Sequence, residues 1–150
     1  MKKIILLLLA LILFACSSLG SGTELSRNQT KWQDANVTHY RFQLGVSCFC
    51  PFMDQMPLTV EVQDGEVISI TDVNGEAFPT TDPMSEFILK YATIDRLFSE
   101  LESDSVQEAD KLTVTYDSTY GFPTEITIDF IELATDDELY ISVSEFEPLP

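Results

Sequence analysis

Two cysteines and two methionines lie close together in the stretch CFCPFMDQM, residues 48 to 56. Sulfur atoms at this spacing suit three kinds of chemistry: a soft-metal site, a redox-active dithiol or a structural disulfide. A Cu(I) site would use as its ligands Cys48, Cys50, Met53 and Met56. A Cys48–Cys50 disulfide requires the chain to bend, because residues i and i+2 of a flat strand lie near the upper limit of the Cα separation that a disulfide spans.

The spacing separates these readings in part. Redox-active pairs usually have two residues between their cysteines and lie at the start of a helix, whereas Cys48 and Cys50 have one and follow a strand pattern. A zinc site would have only the two cysteines and His39, the single histidine. The sequence therefore favours a structural disulfide and keeps the Cu(I) site as the alternative.

The first sixteen residues, MKKIILLLLALILFAC, combine two lysines, a short apolar run and a cysteine. This pattern is typical of a secretory signal, and the run is too short for a comfortable membrane-spanning helix. The residues before Cys16 resemble the lipobox of bacterial lipoproteins, with Phe14 as a departure from the usual pattern. We predict a signal peptide over residues 1–15, a lipidated Cys16 with a flexible tether over 16–22, and a single domain over 23–150.

Lipidation of Cys16 has consequences for the whole chain. Acyl chains on this residue would anchor the protein to a membrane of the cell envelope without spanning it. Ser17 follows the cysteine in place of an aspartate, which resembles the outer-membrane sorting pattern and predicts a periplasm-facing anchor if the organism is Gram-negative. Cys48 and Cys50 would then be the only cysteines left in an oxidising compartment, which favours their pairing.

The mature chain is strongly acidic. Once Lys2 and Lys3 leave with the signal, 25 acidic residues remain against six Lys and Arg, a formal charge of −19. Such a surface repels nucleic acid and anionic headgroups, so nucleic-acid binding is excluded. An acidic group at Asp129, Asp136, Asp137 and Glu138 raises the question of calcium, but it lacks the spacing of an EF-hand loop.

Catalytic motifs are missing from the sequence. There is no G-x-S-x-G, no H-E-x-x-H and no glycine-rich phosphate loop. Carboxylates are numerous, yet no pattern selects a pair for acid–base chemistry. We therefore predict a protein that is not an enzyme and needs no cofactor.

The apolar pattern predicts the elements that position the sulfur stretch. Residues 23–36 have helical composition, and residues 40–46 alternate apolar and polar as a half-buried strand does. Two further alternating runs flank Asp64-Gly65 and predict a β-hairpin. We expect a three-residue turn with Gly65 as the bulge residue, which would pair Val60 with Ile68.

The second half repeats this order of helix and strands. Asp82-Pro83 predicts the start of a short helix, and Thr93 caps a second one whose apolar residues recur at i, i+3, i+4 and i+7. The segment SVQE, residues 105–108, resembles a capping box for one further turn. Strands are predicted at 112–116, 125–130 and 139–146.

The order αβββαβββ predicts an α+β fold: an antiparallel sheet of about six strands with helices packed on one face. The turn between the fourth and fifth strands concentrates aromatic residues. Exposed, they would form a partner-binding tip; buried, they would cover the end of the sheet, and the sequence favours burial. The residues of this candidate tip are Tyr116, Tyr120, Phe122 and Pro123.

Several motifs together resemble a bacterial lipoprotein family described as domain of unknown function 6174. They are a tryptophan eight residues before Tyr40, then CFCP, VQDGEV, TIDRLF, VTYDSTYGFPTEITID and DDELY, within residues 30 to 146. The resemblance implies a secreted or lipid-anchored envelope domain and supplies no activity. We expect a lipoprotein that binds an envelope protein, with a metal-handling Cu(I) lipoprotein as the alternative.

Overall fold

The computed structural model describes residues 20–50, 52–81 and 83–150. The predicted signal peptide, Cys16, the bend at Pro51 and the cap at Asp82 lie outside the described residues. The elements, in chain order, are α1 (Gly20–Ala35), β1 (His39–Ser47), a 3₁₀ turn (Met53–Gln55), β2 (Leu58–Gln63), β3 (Glu66–Thr71), α2 (Pro83–Leu89), α3 (Ile94–Leu101), α4 (Asp104–Gln107), β4 (Lys111–Tyr116), β5 (Pro123–Asp129) and β6 (Glu138–Pro148).

The six strands form one sheet in the order β3-β2-β1-β6-β5-β4, and every neighbouring pair is antiparallel. This confirms the predicted α+β fold and its αβββαβββ order. The central pair, β1 and β6, joins the two halves of the chain. Each half contributes three adjacent strands, in the order β3-β2-β1 and then β6-β5-β4.

One face of the sheet is apolar and packs against the helices. Its central strands bury alternate residues, among them Tyr40, Phe42 and Leu44 of β1, as period two requires. Helix α3 contributes the complementary stripe, which consists of Ile94, Leu97, Phe98 and Leu101. The other face, called here the open face, is lined mainly by hydroxyl, amide and charged side chains, which are half-buried or exposed among the described residues.

The β2–β3 hairpin differs from the predicted register. Val60 pairs with Ile70, where the sequence analysis expected Ile68. Asp64 and Gly65 both have positive φ, 51° and 80°, which is typical of a two-residue hairpin turn. The extra residue lies inside β3, where Ile68 is 52% exposed, and this bulge returns Ile70 to the buried face.

Gly65→Ala should destabilise the domain by about 1 kcal/mol, because alanine is strained at this positive φ. No atom lies within 4 Å of the position that the new Cβ would occupy, so strain is the whole cause. Gly65→Asn is the control, since asparagine tolerates this conformation, and it should retain most of the stability in a urea titration. Equal losses for both variants would contradict this account.

The predicted capping box at 105–108 is wrong. Ser103 is the N-cap residue of α4, and Ser105 lies within the helix. No side-chain cap bond forms there; the Ser103 hydroxyl donates instead to the Glu100 carbonyl, at 2.6 Å.

Two hydrogen bonds and an aromatic contact fix α1 and α3 on the sheet. The Trp32 indole N–H donates to Asp95 Oδ1 at 3.1 Å, and the Ile94 backbone N–H donates to the Tyr40 hydroxyl oxygen at 3.1 Å. The rings of Trp32 and Tyr40 meet edge to face with centroids 5.3 Å apart. The Thr93 hydroxyl accepts from Arg96 N and caps α3 as predicted.

Candidate functional site

The turn Cys48–Cys50, called here the CFC turn, directly follows β1 at one end of the sheet. The Cys50 backbone N–H donates to the Cys48 carbonyl at 2.8 Å, which bends the chain sharply. The structure brings the two sulfurs together as a disulfide, with the Cα atoms 5.3 Å apart. This separation lies within the range of about 4.4–6.8 Å that a disulfide spans.

The side chain of Phe49 projects from the CFC turn and is 87% exposed, whereas both cysteines are half-buried against the core. Alternation along the chain explains the difference. Cys48 and Cys50 continue the series of alternate residues that β1 buries, so Phe49 falls on the opposite face. Phe49 is an apolar residue at a position where alternation predicts a solvent-facing side chain. This was the signal in the sequence for an exposed aromatic residue, and the expectations above did not include it.

A cleft of about 400 Å³ opens beside the CFC turn. It lies between that turn, the end of α2, α4 and the connection from β5 to β6. The apolar residues lining it are Phe87, Tyr91, Val106, Phe130 and Leu139. A second cavity, of about 290 Å³, is also lined by Phe49 and reaches Thr127 and Tyr140 on the open sheet face.

Acidic residues form one side of the cleft: Asp136, Asp137 and Glu138, with Glu100 opposite. Asp137 Oδ2 accepts a hydrogen bond from the Ile131 backbone N–H at 2.7 Å, while its buried Oδ1 has no donor among the described residues. Partial removal from water raises the pKa of the neighbouring Asp129, and the negative charges of Asp137, Glu138 and Glu132 raise it further. The negative potential here therefore comes from several carboxylates.

Tyr91 is the buried hydroxyl-bearing residue of the cleft. Burial, and secondarily the charge of Glu100, raises the pKa of Tyr91 to about 12, so the phenol is neutral at physiological pH. Its ring meets Phe87 edge to face, with centroids 5.5 Å apart. Phe52 packs on the far side of Phe87, at 6.0 Å, so the aromatic wall continues into the core.

The four candidate Cu(I) ligands are in different environments. Cys48 and Cys50 are joined to each other, Met53 is 39% exposed in the 3₁₀ turn, and Met56 packs against the core. A disulfide sulfur is not a thiolate, and the thiolate is the form that binds soft metals. Among the described residues, no group of three or more His, Cys, Asp or Glu side chains is arranged to hold a metal ion.

Reduction of the purified protein should increase its mass by two hydrogen atoms, because one disulfide becomes two thiols. Mass spectrometry of protein alkylated before and after reduction measures this directly. We expect two cysteines other than Cys16 to be alkylated, and only after reduction. Free thiols in protein isolated without oxygen would contradict the disulfide.

The candidate aromatic tip is not a free surface. Phe122 and Pro123 are buried, and Tyr116 and Tyr120 are half-buried. Phe122 packs against Phe146, with ring centroids 4.5 Å apart. The turn covers the end of the sheet beneath α1, as the sequence favours, and exposes no aromatic tip made of all four residues.

His39 lies at the opposite end of the sheet, on the open face. Its Nε2 is 2.9 Å from Glu61 Oε1 and its Nδ1 is 3.0 Å from the Pro150 backbone oxygen. Only the doubly protonated ring donates to both acceptors. The Glu61 carboxylate, then the Pro150 oxygen, raises the pKa of His39 above 6.5.

His39 should therefore titrate above pH 6.5 in the folded chain. A raised pKa means that this group's contribution to stability is complete below pH 6.5 and is lost as the pH rises through the folded-state pKa. NMR titration of the imidazole measures the midpoint. Glu61→Gln is the control and should move the midpoint down; a wild-type midpoint at or below 6.5 would contradict the geometry.

The fold and the site define a small α+β domain with one open sheet face and a cleft at one end. The chain belongs to DUF6174, a family of unknown function, whose family model matches residues 24–148. This confirms the resemblance found in the sequence. A search of curated proteins found no significant match. Within the part of the chain that the structure describes, no helix combines the length and apolar character needed to cross a membrane.

Proposed function

We propose that this protein is a lipid-anchored, non-enzymatic domain of the bacterial cell envelope that binds an envelope protein at the CFC turn. The observation that supports binding most directly is Phe49, which is 87% exposed and lines two cavities. Burying a phenylalanine side chain contributes roughly 1.5–3 kcal/mol. Aromatic residues, phenylalanine included, are also enriched at protein interfaces relative to the rest of the surface.

The closed turn adds to this argument. A disulfide between Cys48 and Cys50 limits the conformations of the residue between them. Immobilising a flexible side chain on binding costs about 0.5–1.5 kcal/mol, and ordering a loop adds to this cost. A turn that is already closed avoids part of the loss. The disulfide therefore favours partner binding by restricting the backbone that presents Phe49.

The lipid anchor rests on the sequence alone. Three residues separate Cys16 from Gly20, where α1 begins. An extended chain spans at most about 3.6 Å per residue, so the four Cα–Cα steps reach roughly 14 Å. With Cys16 acylated, the domain would stay close to the membrane surface and meet partners there.

Photo-crosslinking tests the binding site. A benzophenone amino acid replaces Phe49 in the full chain. The same replacement at Ile68, which is 52% exposed at the bulge of the edge strand β3 and lies towards the other end of the sheet, is the matched control. We expect a discrete adduct with one envelope protein from position 49 and none from position 68. Adducts of equal yield at both positions, or none at either, would reject the proposal.

Cys16→Ser tests the anchor separately. The substitution removes the acceptor of the diacylglyceryl group, so the protein should move from the membrane fraction to the soluble fraction. Metabolic labelling with a palmitate analogue should mark the wild-type chain and not the variant. Labelling of both would show that Cys16 is not the modified residue.

A further inference from the structure

The cleft beside the CFC turn combines an aromatic floor with an acidic side. This combination indicates the chemical character of the ligand that would fit it. The floor includes Phe87, Tyr91 and Phe130, and the side includes Asp136, Asp137 and Glu138. An apolar floor selects an apolar side chain of the partner. Carboxylates at the rim select positive charge next to that side chain, and they repel acidic segments.

The basic residues of the mature chain do not neutralise this acidic side. Five of the six contact another group. Lys90, the one that lines the cleft, is 3.8 Å from Glu100. The sixth, Lys111, lies opposite Asp129 in the strand register, and its positive charge lowers the pKa of that carboxyl. The other four contact groups away from the cleft: Arg27 with Glu24, Lys31 with the Ser118 carbonyl, Arg41 with Glu147 and Arg96 with the Leu89 carbonyl.

We infer that the cleft binds a peptide segment of the partner that carries an apolar side chain flanked by Lys or Arg. The apolar side chain enters between Tyr91 and Phe130, and the flanking cation lies against Asp136 and Glu138. Phe49 covers the segment from the side of the turn. This inference rests on the proposed binding function and names the chemistry of the partner.

A short synthetic peptide tests the inference. The probe is a capped pentapeptide of alternating lysine and leucine, and the protein is the full chain, isotope-labelled, in nonionic detergent micelles. We expect saturable NMR shift changes confined to residues lining the cleft, and an affinity that falls as salt rises, because exposed charge pairs are screened. A serine-for-lysine peptide should bind at least tenfold more weakly.

Matched variants separate the cleft from the overall negative charge. Asp136→Asn with Glu138→Gln removes two charges at the cleft; both side chains are exposed, and Asp136 has φ 66°, which asparagine tolerates. Glu66→Gln with Glu76→Gln removes two exposed charges elsewhere. The first pair should weaken peptide binding about tenfold, and the second less than twofold. Equal losses, or shifts spread over the open sheet face, would overturn the inference.

The two proposals fail in different ways. A partner crosslinked at position 49, together with no binding of the lysine–leucine peptide, would overturn the ligand chemistry and leave the binding function standing. Peptide binding at the cleft with no crosslinked envelope protein would support the ligand chemistry and reject the proposed envelope partner.

Discussion

Gly121→Ala should destabilise the domain by roughly 2–4 kcal/mol, because strain and steric overlap act together. Gly121 has φ 84°, and an added Cβ would lie 2.6 Å from the Asn28 carbonyl oxygen and 3.0 Å from Lys31 Cβ. Both contacts are with α1, so the substitution would push the turn over residues 117–122 away from that helix. At roughly 3–5 °C per kcal/mol for a domain of this size, the melting temperature falls by about 10 °C.

Gly75→Ala is the matched control for this prediction. Gly75 has nearly the same φ, 82°, but no atom lies within 4 Å of its added Cβ. Its substitution should cost only about 1 kcal/mol, from backbone strain. The difference between the two variants, measured by denaturant unfolding, reports the contact between the turn and α1; equal costs would show that no such contact exists.

The close approach at Gly121 also explains the motif YDSTYGFP. Asp117 Oδ1 accepts from the backbone N–H groups of Thr119 and Tyr120, at 2.8 and 2.5 Å, and the Gly121 N–H donates to the Asp117 carbonyl. Lys31 donates to the Ser118 carbonyl. These bonds tie the turn to itself and to α1, so the residues that carry this part of the family resemblance have a structural role.

Local patterns predicted the strands well because side-chain alternation requires no information about distant residues. The buried positions Tyr40, Phe42 and Leu44 follow from period two alone. The register of the β2–β3 hairpin could not be predicted in this way, because the alternation of apolar and polar residues does not reveal the bulge at Ile68. A single inserted residue moves every later side chain to the other face, and only the packed sheet shows where that insertion occurs.

The CFC turn was visible in the sequence, but the cleft beside it was not. Its lining comes from at least five segments of the chain, including Tyr91 after α2, Val106 in α4 and Phe130 after β5. No spacing rule connects such residues before the fold is known. The aromatic turn at 116–123 was the more visible candidate in the sequence, but its apolar pattern does not distinguish an exposed tip from one covered by a helix.

The edge of the sheet gives a further example. Leu112 and Val114 alternate in β4 as buried strand residues do, yet both are only half-buried. β4 is an edge strand, so one side of it has no neighbouring strand. Leu25 of α1 covers part of these residues and leaves a cavity of about 260 Å³. Alternation identifies the face that a residue occupies, and the helices decide how deeply that face is buried.

Trp32→Ala should destabilise the domain by about 3–5 kcal/mol, the usual range for removing a buried tryptophan. Trp32 is only 4% exposed and meets three rings edge to face: Tyr40, Phe122 and Phe146, at 5.3, 6.2 and 5.9 Å. Since whole domains are stable by only about 5–15 kcal/mol, such a loss would leave a measurable unfolded fraction at physiological temperature. Unfolding in urea, followed by circular dichroism, gives the free energy.

Trp32→Phe separates the ring from the hydrogen bond. It keeps an aromatic side chain but removes the N–H group that donates to Asp95 Oδ1, and an unmade bond to a charged acceptor costs roughly 1.5–3 kcal/mol. The phenylalanine variant should therefore lie between wild type and Trp32→Ala. A loss as large as that of alanine would show that the hydrogen bond, and not ring packing, holds α1 on the sheet.

Combining Trp32→Phe with Gly121→Ala tests whether α1 docks as one unit. Trp32 contacts Phe122, the residue after Gly121, so both substitutions weaken the same contact between α1 and the turn. Residues that share an interface usually couple by about 0.5–3 kcal/mol, whereas distant sites add independently. We expect the double variant to lose less stability than the two single losses together, because the first substitution has already loosened the contact. Strict additivity would mean that helix and turn are held on the sheet independently.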